Sequence, residues 1–401
     1  MSSGWSDVRA RLSTDFERFR EALPRDFAGY VRDAYRIDLS ARYLGYDLPH
    51  PFGKGSGQLS LNGEQLETDR AAGLAFVVLK TLIAETAAGE RSMGAWAIHE
   101  TRMAVERRQS LDGREGWTIT WKGRGWDRSL AEYLELVRAG RDLTHAGAEG
   151  MLVVPSVKYN LPRLEEPFVE AEYTHTTAEL AAAWGSGPVP IEKDFSPTLA
   201  GDPLADERPQ ILRWIGEVPD RIRRAAPDGA RVQLKLMNAR FDDAFQVEML
   251  AAARKADGVT TFNRLFDAGR RVAYGGWELS DRNLRVLDLS AERRLARPGL
   301  CATGNICSGR MLLEYAMRGC ESGQLHTFFQ LPLGEYPATA GSRTARALHA
   351  LVFHPVDGLI AAMLDLEEQG ALYRHHGELR FLDVPSEKAT TEAQRHGEKN
   401  L

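Results

Sequence analysis

Cysteine is scarce: Cys301, Cys307 and Cys320 are the three in a chain of 401 residues. Three cannot build a disulfide framework, and their spacing matches neither iron–sulfur nor zinc patterns. They are expected to be buried small hydrophobes, and no metal site is expected. Long apolar runs are also missing. Segments such as Leu74 to Leu79 and Met151 to Val154 fall far short of the ~20 residues that cross a bilayer. No membrane span is expected. Neither sign of charge dominates, with 51 Lys plus Arg against 56 Asp plus Glu and a net of −5. Without a basic excess to neutralise phosphates, no nucleic-acid partner is expected. The start, Met1-Ser2-Ser3-Gly4-Trp5-Ser6-Asp7, lacks a basic segment leading into an apolar one. No secretory signal is expected, and the cytoplasm is the natural compartment.

What is present is an ordinary globular balance, 43% hydrophobic and 27% charged. Val8, Leu12, Phe16, Phe19, Leu23, Phe27 and Val31 recur at helical spacing, which predicts a helix over 5–36 that caps or plugs the main domain. Residues 1–36 form this extension, 37–383 the main domain, and 384–401 a polar tail. Eight strands are predicted in the main domain: Phe52 to Ser56, Ala75 to Lys80, Gly150 to Ser156, Val189 to Asp194, Val232 to Leu236, Gly258 to Phe262, Leu300 to Thr303 and Ser322 to Thr327. Amphipathic stretches at 204–226, 241–255, 280–290, 308–318 and 343–365 predict helices between them. This alternation favours an α/β fold, a closed (β/α)8 TIM barrel rather than an open sheet. Two intervals, about 81–128 and 157–187, are long for simple connections and read as insertions. Both leave the strand ends where barrel active sites are built.

The chemistry concentrates at those ends. Thr303-Gly304-Asn305-Ile306-Cys307-Ser308 runs from a strand through a glycine turn into a helix start, whose free N–H groups can hold a phosphate. Gln324-Leu325-His326-Thr327 closes the next strand, and the last two strand ends form the common phosphate site of a barrel. The competing reading is a plain tight turn at Gly304. Lys80 and Lys235 sit in apolar strands, where an ammonium needs an anion or polar partner. Both suit the flavin edge that gathers negative charge on reduction. An ion pair with a neighbouring carboxylate such as Asp194 is the alternative. Asn238 and Asn263 follow the fifth and sixth strands, where amides can read a planar heterocycle or merely cap loops. Gly275 and Gly276 allow close backbone approach.

Taken in order, these residues resemble the dihydroorotate dehydrogenase family of FMN-dependent barrels. The likeness spans about residues 37–335, from Ile37-Asp38-Leu39-Ser40-Ala41-Arg42-Tyr43 through Ser56-Gly57, Gly73 to Thr81, Lys235, Asn263, Gly275-Gly276, Gly304-Asn305-Ile306 and Gln324 to Thr327. It implies an FMN-dependent oxidoreductase that moves hydride between flavin N5 and a dihydropyrimidine or related ring. Ser56 and Gly57 would back the flavin ring, and Lys80, Thr81, Lys235 and Asn263 would contact it. Gly275, Gly276, Gly304, Asn305, Ile306, His326 and Thr327 would hold it and its phosphate. Possible pairing as a homodimer is also implied, with an unidentified electron acceptor or donor.

Departures from the family fall on the substrate side. The family ends its fourth strand with Asn, an apolar residue, Ser, Cys or Ser, then Pro. This chain has Asp194-Phe195-Ser196-Pro197. Ser196 is the nearest candidate base, with Asp194 and Lys235 as catalytic partners, although a free serine is a poor base. Arg264 replaces the family's Ser or Thr after Asn263. Gly116 to Trp126, with Trp117, Trp121, Trp126, Lys122 and Arg124, stands where the family has another loop. Arg264, Lys122 and Asn238 are therefore candidate substrate contacts, and the tryptophans could stack on a ring or pack with the cations. Lys158 could pair with Asp194, or Tyr159 could give a proton. His99 and His175 are better read as surface or capping residues. Three rivals remain: a non-redox phosphate-binding isomerase or lyase, a non-catalytic flavoprotein subunit, and a true dihydroorotate dehydrogenase whose fourth strand aligns one position differently.

Overall fold

Strands form where β-branched and apolar residues run together, and strands buried on both faces need not alternate with polar residues. The computed structural model, which describes residues 2–97, 104–120, 125–147, 150–195, 207–267, 269–270, 272–293 and 298–384, gathers ten such strands into one curled parallel sheet. They are β1 (Phe52–Lys54), β2 (Phe76–Val78), β3 (Leu82–Ile83), β4 (Leu152–Val154), β5 (Ser156–Lys158), β6 (Val189–Asp194), β7 (Ala230–Met237), β8 (Gly258–Asn263), β9 (Gly299–Thr303) and β10 (Cys320–Leu325). Their order across the sheet is β3-β5-β6-β7-β8-β9-β10-β1-β2-β4. β4 and β5 are one line of chain, interrupted at Pro155, which has no N–H to give the ladder. β2 and β3 are likewise successive. β2 pairs with β4, and β3 with β5.

Helices follow the strands and cover the sheet. Glu170–Trp184 lies inside the long interval after β5, and Leu130–Thr144 precedes β4. The predicted helix over 343–365 is two, Arg343–Phe353 and Leu359–Glu368, parted by the Pro355–Gly358 turn. The interval before Leu130 carries an antiparallel hairpin, Ala104–Gln109 with Glu115–Thr120.

The helix expected over 5–36 is also two, Ser2–Arg18 and Phe27–Tyr35. Pro24 stands between them, and Asp26 caps the second by accepting from Gly29 N. The first does not plug the sheet. It lies on the final helices, where Phe16 stacks on His349 at 4.7 Å and Phe19 meets Phe353 at 5.1 Å. Its apolar stripe fits a groove between helices better than a strand end. The plug is a hairpin, Ala41–Tyr43 with Tyr46–Leu48, whose Tyr43 ring stacks on Phe76 at 4.4 Å.

His50, just before β1, shows how tightly this end is specified. Phe52 N donates to its Nδ1 at 3.2 Å, and its Nε2 lies 2.7 Å from Gly73 O. Only the neutral ring with hydrogen on Nε2 satisfies both. Burial pushes its pKa down to about 4. A group lowered in the folded state costs stability as pH falls from its ordinary value through the folded one. Stability is therefore expected to drop between about pH 6.5 and 4, with about 3 kcal/mol from His50. Urea unfolding across that window checks this: His50→Gln should flatten the slope, and an unchanged slope would refute it.

Candidate functional site

Parallel strands point their C-terminal ends one way, so residues at those ends meet. A cavity of about 620 Å3, counted with its open mouth, lies where β8, β9 and β10 end. Asn263, Arg264, Thr303, Gly304, Asn305 and Ile306 line it from the first two. Gln324, Leu325, His326 and Thr327 line it from β10. Gly275, Gly276 and Trp117 complete much of the wall.

The backbone here is unusual. Gly304 has φ +102° and Gly276 φ +109°, where a side chain is strained. Asn305 at φ 53° and Arg264 at φ 34° adopt positive φ without being glycine. The Gly304 turn is braced from behind. Asn283 Nδ2 donates to Thr303 O at 2.9 Å and to Phe262 O at 2.8 Å, and Tyr315 OH donates to Gly304 O at 2.8 Å. Ser308 caps the helix Gly309–Ala316 by accepting from Met311 N.

The charges around the cavity are mostly positive. Lys80 is buried, and its ammonium makes no hydrogen bond or ion pair with any described residue. Burial, then nearby Arg264, pushes its pKa down to about 8, while Asp194 opposes. Arg264 is pushed down to about 10 by burial, again against Asp194. The His326 imidazole is pushed to about 3, first by burial and then by Lys235, Lys80, Lys54 and Arg264. The charges of Lys80 and Lys235 are thus both felt at His326, although neither lysine lines the cavity. His326 also fills the space beside Gly57, where an added Cβ would collide with its Nε2.

Deeper in, Lys235 Nζ lies 3.8 Å from Glu192 Oε1. The lysine therefore pairs with the neighbouring strand, through Glu192 rather than Asp194. Asp194 instead lies 3.9 Å from Lys158 Nζ and accepts from Thr81 Oγ1 at 3.2 Å. Glu192 is fully buried and was not singled out from sequence. Its signal was present, an acid two residues before Asp194 on a strand and so on the same face.

The other candidates fall variously. Ser56 and Thr81 meet at 2.9 Å between their hydroxyls. Asn238 is buried outside the cavity wall and braces it, donating to Arg264 O and Asn283. Cys307 lines the cavity, and burial pushes its thiol up to about 11, which keeps it protonated at neutral pH. Ser196, Lys122, Trp121, Arg124 and His99 lie outside the described residues. Trp126 is core, with its Nε1 bonded to Ser129 O. Tyr159 is fully buried against Thr177 and Tyr173. His175 is half-buried on its helix.

The hairpin holds Trp117 in the wall. Thr118 Oγ1 donates to Gly275 O and accepts from Gly275 N. Arg107 stacks over Trp117 at 5.1 Å and pairs with Glu335, and Arg114 pairs with Asp281. One cation, Arg107, packs on Trp117, and that ring lines the cavity; the cations named from sequence, Lys122 and Arg124, lie outside the described residues.

No family model and no curated protein matches this chain. Among the described residues no helix is long and apolar enough to cross a membrane, and no group of three or more His, Cys, Asp or Glu could hold a metal ion.

Proposed function

We propose that the chain is an FMN-dependent oxidoreductase resembling dihydroorotate dehydrogenase, acting on a CH–CH bond of a small ring substrate. The fold we assign is a closed (β/α)8 barrel. Its support is the double pairing of β2–β3 with β4–β5, which leaves every line of chain with two neighbours. The observation that carries the function is a shared cavity wall. Arg264, Gly276, Gly304, Asn305, His326 and Thr327 line one cavity, and the charges of Lys80 and Lys235 are felt at His326 in that wall.

The residues fit the cofactor. Gly276 and Gly304, both at positive φ, line the cavity, and their backbone N–H groups would meet an anion bound there. Among the described residues Lys80 is a buried ammonium that bonds to no carboxylate, with Asp194 and Asp127 acting on it from further off, and the buried Gln324 Oε1 has no hydrogen-bond partner. Bound FMN would supply hydride transfer at N5. Gly304, Asn305, His326 and Thr327 would hold its phosphate, and Lys80 and Lys235 the ring edge. Arg264 would face an acidic or carbonyl group of the substrate.

The test is titration of FMN into the purified protein, with mass spectrometry of whatever heat releases. Tight binding supports the reading. A colourless protein that binds inorganic phosphate but no flavin favours a non-redox barrel enzyme. Lys80 adds a pH signature. Because its folded pKa is about 8, its charge is lost as pH rises through that value. FMN affinity should therefore weaken above pH 8, and Lys80→Met should bind several-fold more weakly and lose that dependence. A wild-type affinity flat from pH 7 to 9.5 would remove Lys80 from the site.

A further inference from the structure

Asp194 and Glu192 occupy one face of β6 and are joined by hydroxyls from two other strands' ends. Thr81 Oγ1 is 3.2 Å from Asp194 Oδ2 and 3.1 Å from Ser156 Oγ. Ser156 Oγ is 3.5 Å from Glu192 Oε1. Three contacts therefore link two carboxyls through two hydroxyls, and Ser56 Oγ, 2.9 Å from Thr81 Oγ1, adds one further contact together with one further hydrogen. Each hydroxyl brings one hydrogen, so two ionised carboxylates would leave one oxygen–oxygen contact with none. One more hydrogen completes the chain. We propose that Asp194 and Glu192 share one proton through Thr81 and Ser156, making Asp194 the proton-exchanging group of the site. This rests on the function proposed above for its use, and on geometry alone for its existence.

The surroundings set where the proton rests. Asp194 has a side chain 12% exposed and faces Lys158, with Lys80 and Arg264 nearby and Lys193 beside it in the strand. Glu192 has a side chain 0% exposed. Lys235, Tyr43, Gln324 and Ser156 face it, and Cys301 and Asp194 sense its charge. Burial holds the Glu192 carboxyl above its ordinary range against the pull of Lys235, Gln324 and Tyr43, so in this proposal the shared proton rests on Glu192 and Asp194 carries the charge. In that state Asp194 takes a proton from a ligand. In the other, Asp194 gives one. Between the two, three hydrogens each shift by one oxygen along Glu192 Oε1, Ser156 Oγ, Thr81 Oγ1 and Asp194 Oδ2. Both hydroxyls end as they began, and nothing is oxidised or reduced. This supplies the acid–base partner that a lone serine supplies poorly.

Infrared spectroscopy of the protein without ligand tests it. At neutral pH one protonated-carboxyl band is expected, absent in Glu192→Gln and retained in Asp194→Asn. On transfer to D2O the band should shift at least tenfold more slowly in Ser156→Ala than in wild type, because the route through Thr81 is cut. Thr81→Val cuts the same route if Ser156→Ala does not fold. Absence of the band, its survival in Glu192→Gln, or equal exchange rates would each overturn the proposal. FMN titration of the same samples separates the two claims. A band without flavin binding defeats the function alone, and flavin binding without a band defeats the shared proton alone.

Discussion

Gly304→Ala is expected to lower FMN affinity a hundredfold or more, about 3 kcal/mol. At φ +102° an alanine is strained before it touches anything. Its Cβ would then stand 2.7 Å from Asn283 Nδ2 and 2.9 Å from Leu279 Cγ. Asn283 is not a flexible tip, since it is bonded to Thr303 O, Phe262 O and Asn238. The turn must therefore move, and the N–H groups of the phosphate cradle move with it. Isothermal titration checks the affinity, with the melting temperature recorded alongside. A folded variant that binds FMN like wild type would show that this turn does not hold the phosphate.

The largest stability effect is expected at Lys54. Its Nζ lies 2.5 Å from Asp69 Oδ1, with both side chains almost fully buried, and Thr344 Oγ1 donates to the same oxygen at 2.6 Å. Burial pushes the lysine pKa down and the carboxyl up, each against the partner's pull. The pair is costly to bury and costlier to break. Lys54→Met should lose about 3–5 kcal/mol by leaving Asp69 without its cation. Lys54→Met with Asp69→Leu should recover most of that loss. The contact also ties β1 to the helix Gly63–Ala71, which carries Asp69, and to Arg343–Phe353, and so sets where Ser56 and Gly57 lie. Urea midpoints of the two singles and the double complete the cycle. A single-variant loss below about 1 kcal/mol would contradict the buried-pair argument.

Strand positions were legible because a buried parallel strand is a short apolar run between turn residues, as at Val189–Asp194, where prediction and structure coincide. Helix ends were less so. A stripe such as Val8 to Val31 continues across Pro24 without a change in period, so periodicity alone does not show the break. In the site, Lys80, Arg264, Gly304 and His326 could be named from type and place. Glu192 carries only a weak signal, its place two residues before Asp194, because an acid in a strand reads as solvent-facing until the neighbouring strands enclose it.

Local composition determined which segments are strands, which cations lie at their ends, and where a glycine turn opens a helix, because each depends on residues a few positions apart. Tertiary structure decided the partners. It set Lys235 against Glu192 rather than Asp194, sent the N-terminal helix to the last two helices, and threaded two hydroxyls between two acids. Those choices depend on the register and stagger of strands far apart in the chain, and a register is a property of packed neighbours rather than of any one strand.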